Sequence, residues 1–124
     1  MMNDTAAWPT EIRLDREKRL LTIIFDDGTA PAFSAEFLRV FSPSAEVQGH
    51  SPAQRRLVVA KERVRIDAIE PVGNYAVKLV FDDGHATGIF SWAYFQRLAA
   101  DRDTMWAGYL KELEEKGFSR RAPT

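Results

Sequence analysis

The stretch IIFDDGTAPAFSAEFLRV at residues 23–40 has a close counterpart in LVFDDGHATGIFSWAYFQRL at residues 79–98. Each has an apolar strand end, Phe-Asp-Asp-Gly, a short segment closing on Phe-Ser, and an apolar segment with an early aromatic residue. The Phe-Asp-Asp-Gly motifs begin 56 residues apart and the Phe-Ser pairs 57 residues apart, so the second copy holds one inserted residue. Asp and Gly favour tight hairpin turns. The pattern indicates a structural repeat, although two hairpins could also have acquired the same favourable turn independently.

The sequence around the two motifs predicts the elements that flank them. Apolar, β-branched residues at 20–25 and an alternating pattern at 75–81 predict a strand before each turn. Ser34 and Ser91 precede helical apolar patterns and are predicted N-caps. Asp103 is predicted to begin a separate last helix. The apolar stripe of that helix consists of Trp106, Leu110 and Leu113. The predicted class is α+β: a small, antiparallel-rich sheet from two strand–turn–strand–helix repeats, with a C-terminal helix packed on it.

The domain organisation follows from length and local composition. With 124 residues the chain fits a single domain. We expect residues 1–9 and 118–124 to be flexible tails and residues 10–117 to form the domain. Residues 42–62 carry two prolines and a glycine among small polar residues, which predicts a loop.

Composition and charge exclude several classes of function. The chain has no cysteine, so it cannot form disulfides, thiolate metal sites or a cysteine nucleophile. Its net charge of −1 favours no nucleic-acid partner. No apolar run approaches the ~20 residues that span a bilayer, and the first residues do not resemble a signal peptide. We therefore expect a cytoplasmic protein without a membrane partner. The densest basic cluster is interpreted as a solvated face and comprises Arg55, Arg56, Lys61, Arg63 and Arg65.

Acidic pairs and histidines are the residues that could carry chemistry. The pairs Asp26-Asp27 and Asp82-Asp83 could bind a metal or transfer protons, but Asp before Gly is also what a tight turn requires. His85 follows the second turn where the first repeat has Thr29, and it could be a ligand, a base or a hydrogen-bonded side chain. His50 lies in the predicted loop, and two histidines alone make a poor metal site.

Other chemical motifs are missing from the sequence. No serine stands in a Gly-x-Ser-x-Gly turn, and neither a dinucleotide-binding glycine motif nor a P-loop occurs. No catalytic residue and no cofactor is therefore assigned. The aromatic residues at helical spacing favour core packing, and an exposed subset could form a groove for a partner. They are Trp92, Tyr94, Phe95, Trp106 and Tyr109.

Three blocks of the sequence resemble the DUF971 family, which includes the N-terminal domain of gamma-butyrobetaine hydroxylase-like dioxygenases. They are LRVFSPSAEVQGH at 38–50, IEPVGNYAV at 69–77 and FDDGHATGIFSW at 81–92. The resemblance runs from about Trp8 to Gly117 and implies an α+β domain. In the dioxygenases this domain holds a structural zinc with three cysteines and one histidine, ahead of a separate catalytic domain.

The resemblance also implies that this zinc site is degenerate here. The positions of the three cysteines correspond to Ser42, Ser44 and Val47, and the histidine corresponds to His85. Serine is a poor zinc ligand and valine is none, so no zinc is expected. The 124 residues leave no room for the catalytic domain, so we do not transfer dioxygenase activity.

These observations favour a non-catalytic accessory or binding domain that acts through a protein partner. The alternative is a metal- or small-ligand-binding protein that uses His85 and His50. An enzyme with His85 as base would need a concave pocket with a second polar group of perturbed pKa. Self-association into a homo-oligomer stays open. The predicted interaction surface consists of Ser42, Ser44, Glu46, His50, Asp83 and His85.

Overall fold

A computed structural model describes residues 7–44, 47 and 57–121 of the chain. No helix within these ranges is long and apolar enough to cross a membrane. The elements discussed below are β1 (Pro9–Leu14), β2 (Leu20–Phe25), β3 (Ala32–Ser34), α1 (Ala35–Val40), β4 (Ile66–Val72), β5 (Ala76–Phe81), β6 (Ile89–Ser91) and α2 (Trp92–Lys116).

Each repeat forms its own antiparallel sheet. The strand orders are β1-β2-β3 and β4-β5-β6, so the predicted α+β class is confirmed, with two three-stranded sheets. The central strands β2 and β5 alternate between buried and half-buried positions along most of their length, as expected for strands with one face on a core. The returning strands β3 and β6 have only three residues each.

The two Phe-Asp-Asp-Gly turns have the same geometry. Gly28 and Gly84 have φ angles of 88° and 91°, in the left-handed region that glycine adopts without a steric penalty. The second Asp of each pair accepts a hydrogen bond from the backbone N–H two residues later. These bonds measure 2.9 Å from Thr29 to Asp27 and 3.1 Å from His85 to Asp83. The second carboxylate of each pair is therefore a turn former, as the pattern predicts.

The helices begin where the sequence predicts, but the last one is longer than expected. Ser34 Oγ accepts from Phe37 N–H and Ser91 Oγ accepts from Tyr94 N–H, each at 3.0 Å. The prediction that Asp103 begins a separate helix is wrong, because α2 continues through it for 25 residues. Neither Gly nor Pro interrupts the chain near Asp103, and helix propagation is cooperative.

The apolar stripe of α2 also differs from the predicted one. Leu110 is exposed, whereas Tyr109 and Leu113 are buried in the core. A shift of one residue turns a side chain through about 100° on a helix, so a stripe continued from the buried Leu98 selects Tyr109 instead of Leu110.

Phe95 of α2 connects the cores of the two repeats. Its ring centroid lies 5.7 Å from that of Phe33 and 5.4 Å from that of Phe90, and all three side chains are fully buried. Phe33 and Phe90 are the phenylalanines of the two Phe-Ser pairs. The repeated motif therefore places equivalent rings from both sheets against one residue of α2.

Parts of the two expected tails make contacts with the domain within the described residues. Trp8 N–H donates to Asp26 Oδ1 at 3.1 Å, and β1 already begins at Pro9. Beyond α2, backbone hydrogen bonds of 3.0 Å join Ala60 to Ser119 and Glu62 to Arg120. The outermost parts of both predicted tails, residues 1–6 and 122–124, lie outside the described residues.

The Arg120 side chain fixes the segment after α2 to α1. Its guanidinium donates to both carboxylate oxygens of the buried Glu36, at 2.8 and 2.9 Å. The guanidinium also lies 5.6 Å from the Trp106 ring centroid. Because a buried carboxylate without a partner is costly, Arg120 belongs to the stable part of the domain.

We predict that Arg120→Ala lowers the free energy of unfolding by about 1–3 kcal/mol, because it leaves the buried Glu36 without its charged donor. Urea denaturation followed by circular dichroism measures the change. Arg121→Ala is the matched control, since Arg121 is exposed. Equal midpoints for both variants would show that the Arg120–Glu36 pair contributes nothing.

Candidate functional site

Two serine hydroxyls and one imidazole meet in the interior of the domain. Ser42 Oγ lies 2.9 Å from His85 Nε2, and Ser44 Oγ lies 3.3 Å from the same nitrogen. The tautomer of His85 decides which group donates. All three side chains are buried, and Ser42 is completely so. We call Ser42, Ser44 and His85 the hydroxyl–imidazole cluster.

Neighbouring elements hold this cluster in place. The second turn fixes His85, whose carbonyl accepts from Phe81 N–H at 2.9 Å. The hydroxyl of Tyr94 in α2 donates to the carbonyl of Phe41, next to Ser42, at 2.6 Å. Burial raises the pKa of Tyr94, so this hydroxyl stays a neutral donor. The cluster therefore joins the segment after α1 to the second hairpin and to α2.

Gly88 provides the space that Ser42 needs. A Cβ atom at position 88 would overlap Ser42 Oγ and lie 3.1 Å from Phe90 Cε1. The close approach of Ser42 explains why position 88 is a glycine, although its backbone does not have a positive φ angle. The sequence alone does not show this role, because Ser42 and Gly88 belong to different repeats.

A network of charges lies beside the cluster. Asp83 Oδ2 contacts Arg39 Nε at 2.8 Å and Lys61 Nζ at 2.7 Å. Burial alone would raise the pKa of Asp83, but hydrogen bonds from Lys61, the His85 backbone and Arg39 outweigh it and lower the pKa to about 2. Asp83 is therefore ionised near neutral pH, and it serves as a fixed counter-ion there rather than as an acid or base.

The predicted interaction surface is only partly supported by these positions. The structure brings Ser42, Ser44 and His85 together and buries all three side chains, and their role in an interaction surface stays a prediction. Asp83 lies beside them in its ion pairs. Glu46 and His50 lie outside the described residues.

The residues of the cluster do not fit a zinc ion. Zinc requires thiolate, imidazole or carboxylate ligands, and the cluster supplies one imidazole with two hydroxyls beside Val47. The described ranges contain no group of three or more His, Cys, Asp or Glu side chains that could hold a metal.

An apolar groove opens on another part of the surface, beside the first turn of α2. Trp8 and Tyr75 are 54% and 55% exposed and line it together with Trp92. Its volume is about 310 Å³. A second groove of about 570 Å³ is lined by residues such as Pro31 and Asp27 of the first hairpin. Gln96 lines both grooves, so they are adjacent. We call the two together the aromatic groove.

The fold and the buried cluster define a small α+β domain of two hairpin–helix repeats. The family model described as gamma-butyrobetaine hydroxylase-like, N-terminal, matches residues 12–96, and the chain belongs to this family. The resemblance seen in the sequence is thereby confirmed. No curated protein matches the chain.

Solved structures agree with this assignment. Two solution structures determined by NMR are 43% and 46% identical to the chain, with TM-scores of 0.80 and 0.81. The first alignment spans 96% of this chain and 94% of the solved one, and the second spans 100% of this chain and 93% of the solved one. A crystal structure from Acidithiobacillus ferrooxidans, described as a DUF971 family protein of unknown function, is 40% identical. Its TM-score is 0.62, over 74% of this chain and 92% of its own.

We predict that Gly88→Ala lowers the free energy of unfolding by about 1–3 kcal/mol, because the new methyl group overlaps Ser42 Oγ. Combining it with Ser42→Ala should recover part of the loss, which a double-mutant cycle measures. Gly108→Ala is the control. It lies in α2 with no atom within 4 Å of the added Cβ, so it should raise the stability by about 0.5–1 kcal/mol. Additive effects of the two substitutions at 42 and 88 would refute the contact.

We also predict that cysteine at positions 42, 44 and 47 creates a zinc site with His85. The serine oxygens already lie 2.9 and 3.3 Å from Nε2, and three thiolates with one imidazole form a tetrahedral structural site. Elemental mass spectrometry of the untagged variant with all three cysteines should find one zinc per chain. The same variant with His85→Ala serves as control. If the variant with three cysteines contains no zinc, the three positions do not lie close enough to His85 to form the site.

Proposed function

We propose that the domain is a non-catalytic binding module that holds an extended segment of a partner protein in the aromatic groove. One observation carries the proposal: Trp8 and Tyr75 expose more than half of their surface beside a groove with almost purely apolar walls. Exposed aromatic residues at the edge of an apolar depression are typical of protein-binding sites, where Trp and Tyr contribute most of the binding energy.

The shape of the groove favours an extended peptide over a compact ligand. The portion beside Trp8 and the portion beside Pro31 share Gln96, and together they exceed the volume of a single side chain. Within the described residues, the amide of Gln96 makes one hydrogen bond, a long one of 3.5 Å to the carbonyl of Ala7. It could instead bond to the backbone of a peptide, which is how extended segments gain affinity without sequence specificity.

The charge beside the groove favours a basic residue in the partner segment. Asp27 lines the portion near Pro31, and hydrogen bonds from the side chain and backbone of Thr29 lower its pKa. The carboxylate is therefore ionised near neutral pH and exposed. A lysine or arginine placed next to the apolar residues of the partner would pair with it.

The buried cluster supports a non-catalytic role. His85 Nε2 is within hydrogen-bond distance of Ser42 and Ser44, and its side chain is buried. Ser42, the closest candidate nucleophile, is completely buried. The Ser42 hydroxyl in this arrangement could not reach a substrate without a rearrangement, whereas its contact with His85 suits the joining of segments in the interior.

A displayed library of random peptides tests the proposal. We expect selection to enrich peptides that combine apolar residues with a basic residue, with micromolar affinity for the purified chain. Trp8→Ala and Tyr75→Ala should each weaken binding by roughly tenfold or more, as expected for aromatic residues at the centre of an interface. Asp27→Lys should shift the preference away from basic peptides.

Phe118→Ala is the matched control. Phe118 is 54% exposed, like Trp8, but it follows the far end of α2 from Trp92, and a helix of 25 residues is roughly 37 Å long. Binding that depends on Phe118 as much as on Trp8 would contradict the proposed groove. Self-association of the chain that Trp8→Ala abolishes, measured by light scattering, would assign the groove to a second copy instead.

A further inference from the structure

A separate cavity of about 210 Å³ lies beside the hydroxyl–imidazole cluster. Arg39, Lys61 and His85 form its polar wall, and its apolar wall consists of Val47, Leu57, Val58 and Val59. None of these residues lines the aromatic groove. The two sites can therefore be tested independently.

The Arg39 side chain carries a hydrogen-bond donor that no acceptor among the described residues satisfies. Its Nε donates to Asp83 at 2.8 Å, but its Nη1 is buried and has no acceptor within the described residues. A buried donor without an acceptor destabilises a folded protein, so such a group usually has a ligand, an ion or water as its partner.

Asp83 does not satisfy all the donors of Arg39 and Lys61. Its Oδ2 already contacts both Arg39 Nε and Lys61 Nζ, and its Oδ1 accepts from the backbone N–H of His85. An ammonium group carries three N–H donors, so Lys61 keeps capacity beyond this contact. Two cations beside one carboxylate leave a surplus positive charge at the wall of the cavity.

We propose that this cavity binds a small oxyanion, a phosphate or carboxylate group, between the side chains of Arg39 and Lys61. The planar guanidinium matches the geometry of both anions, and the ammonium supplies a second charged donor. Val47, Val58 and Val59 also line the cavity, and their apolar side chains lower the local polarity, which strengthens charged hydrogen bonds. The cavity is smaller than the roughly 300–1,000 Å³ of sites for drug-sized ligands, so it suits a single anionic group.

Titration of the full chain with inorganic phosphate at constant ionic strength, balanced with chloride, tests the proposal. We expect saturable NMR shifts of the Arg39 Nε–H and the Val58 methyl groups. Lys61→Gln should weaken the apparent affinity by about tenfold or more, as loss of a charged hydrogen bond does. Lys61 is partly exposed, which makes this variant more suitable than one at Arg39, where folding could fail.

Arg65→Gln is the matched control, because Arg65 is exposed and does not line the cavity. Its affinity for phosphate should equal that of the unchanged chain. Acetate in place of phosphate reports whether the site takes carboxylates. Titration with methyl phosphate distinguishes the two sources of a phosphate group. If methyl phosphate binds, the site accepts a phosphate carried on a larger molecule. If only inorganic phosphate binds, the site takes the free ion. Shifts that stay linear with concentration for both phosphate and acetate, or an equal loss in Arg65→Gln, would overturn the proposal.

Discussion

The packing of Phe95 against Phe33 and Phe90 is the contact on which the rest of the domain depends. Each sheet has three strands, and sheets of this size need a helix or another sheet to cover their apolar face. Phe95 supplies this cover to both sheets from one position on α2. Because α2 is then fixed relative to both repeats, Tyr94 beside it reaches the carbonyl of Phe41 and sets the position of Ser42.

The repeat was predictable because its signals are local. Turn glycines, serine caps and alternating strands each depend on a few neighbouring residues, and the two copies support one another. Where a signal was local but weak, as at Asp103, the cooperativity of the helix overrode it. The contact of Arg120 with Glu36 was not predictable, since nothing in the sequence near either residue indicates a partner 84 positions away.

The candidate sites were predictable to a smaller extent. The resemblance to a zinc-binding family placed Ser42, Ser44 and His85 at one site, and the structure brings them together. Their burial was not foreseen, because three polar residues near a turn and a loop suggest a surface. The exposed pair Trp8 and Tyr75 was missed for the opposite reason: apolar side chains are expected in the core, and only the three-dimensional surface shows which remain outside.

The ion pair between Arg120 and Glu36 has a consequence for the order in which the domain can form during synthesis. Glu36 lies in the first repeat, but its only charged donor within the described residues follows the last helix. While the ribosome still holds the residues after α2, the first repeat would have to bury an uncompensated carboxylate. The two repeats can therefore form hairpins as they emerge, and the closed core reaches its full stability only when the segment carrying Arg120 has left the ribosome.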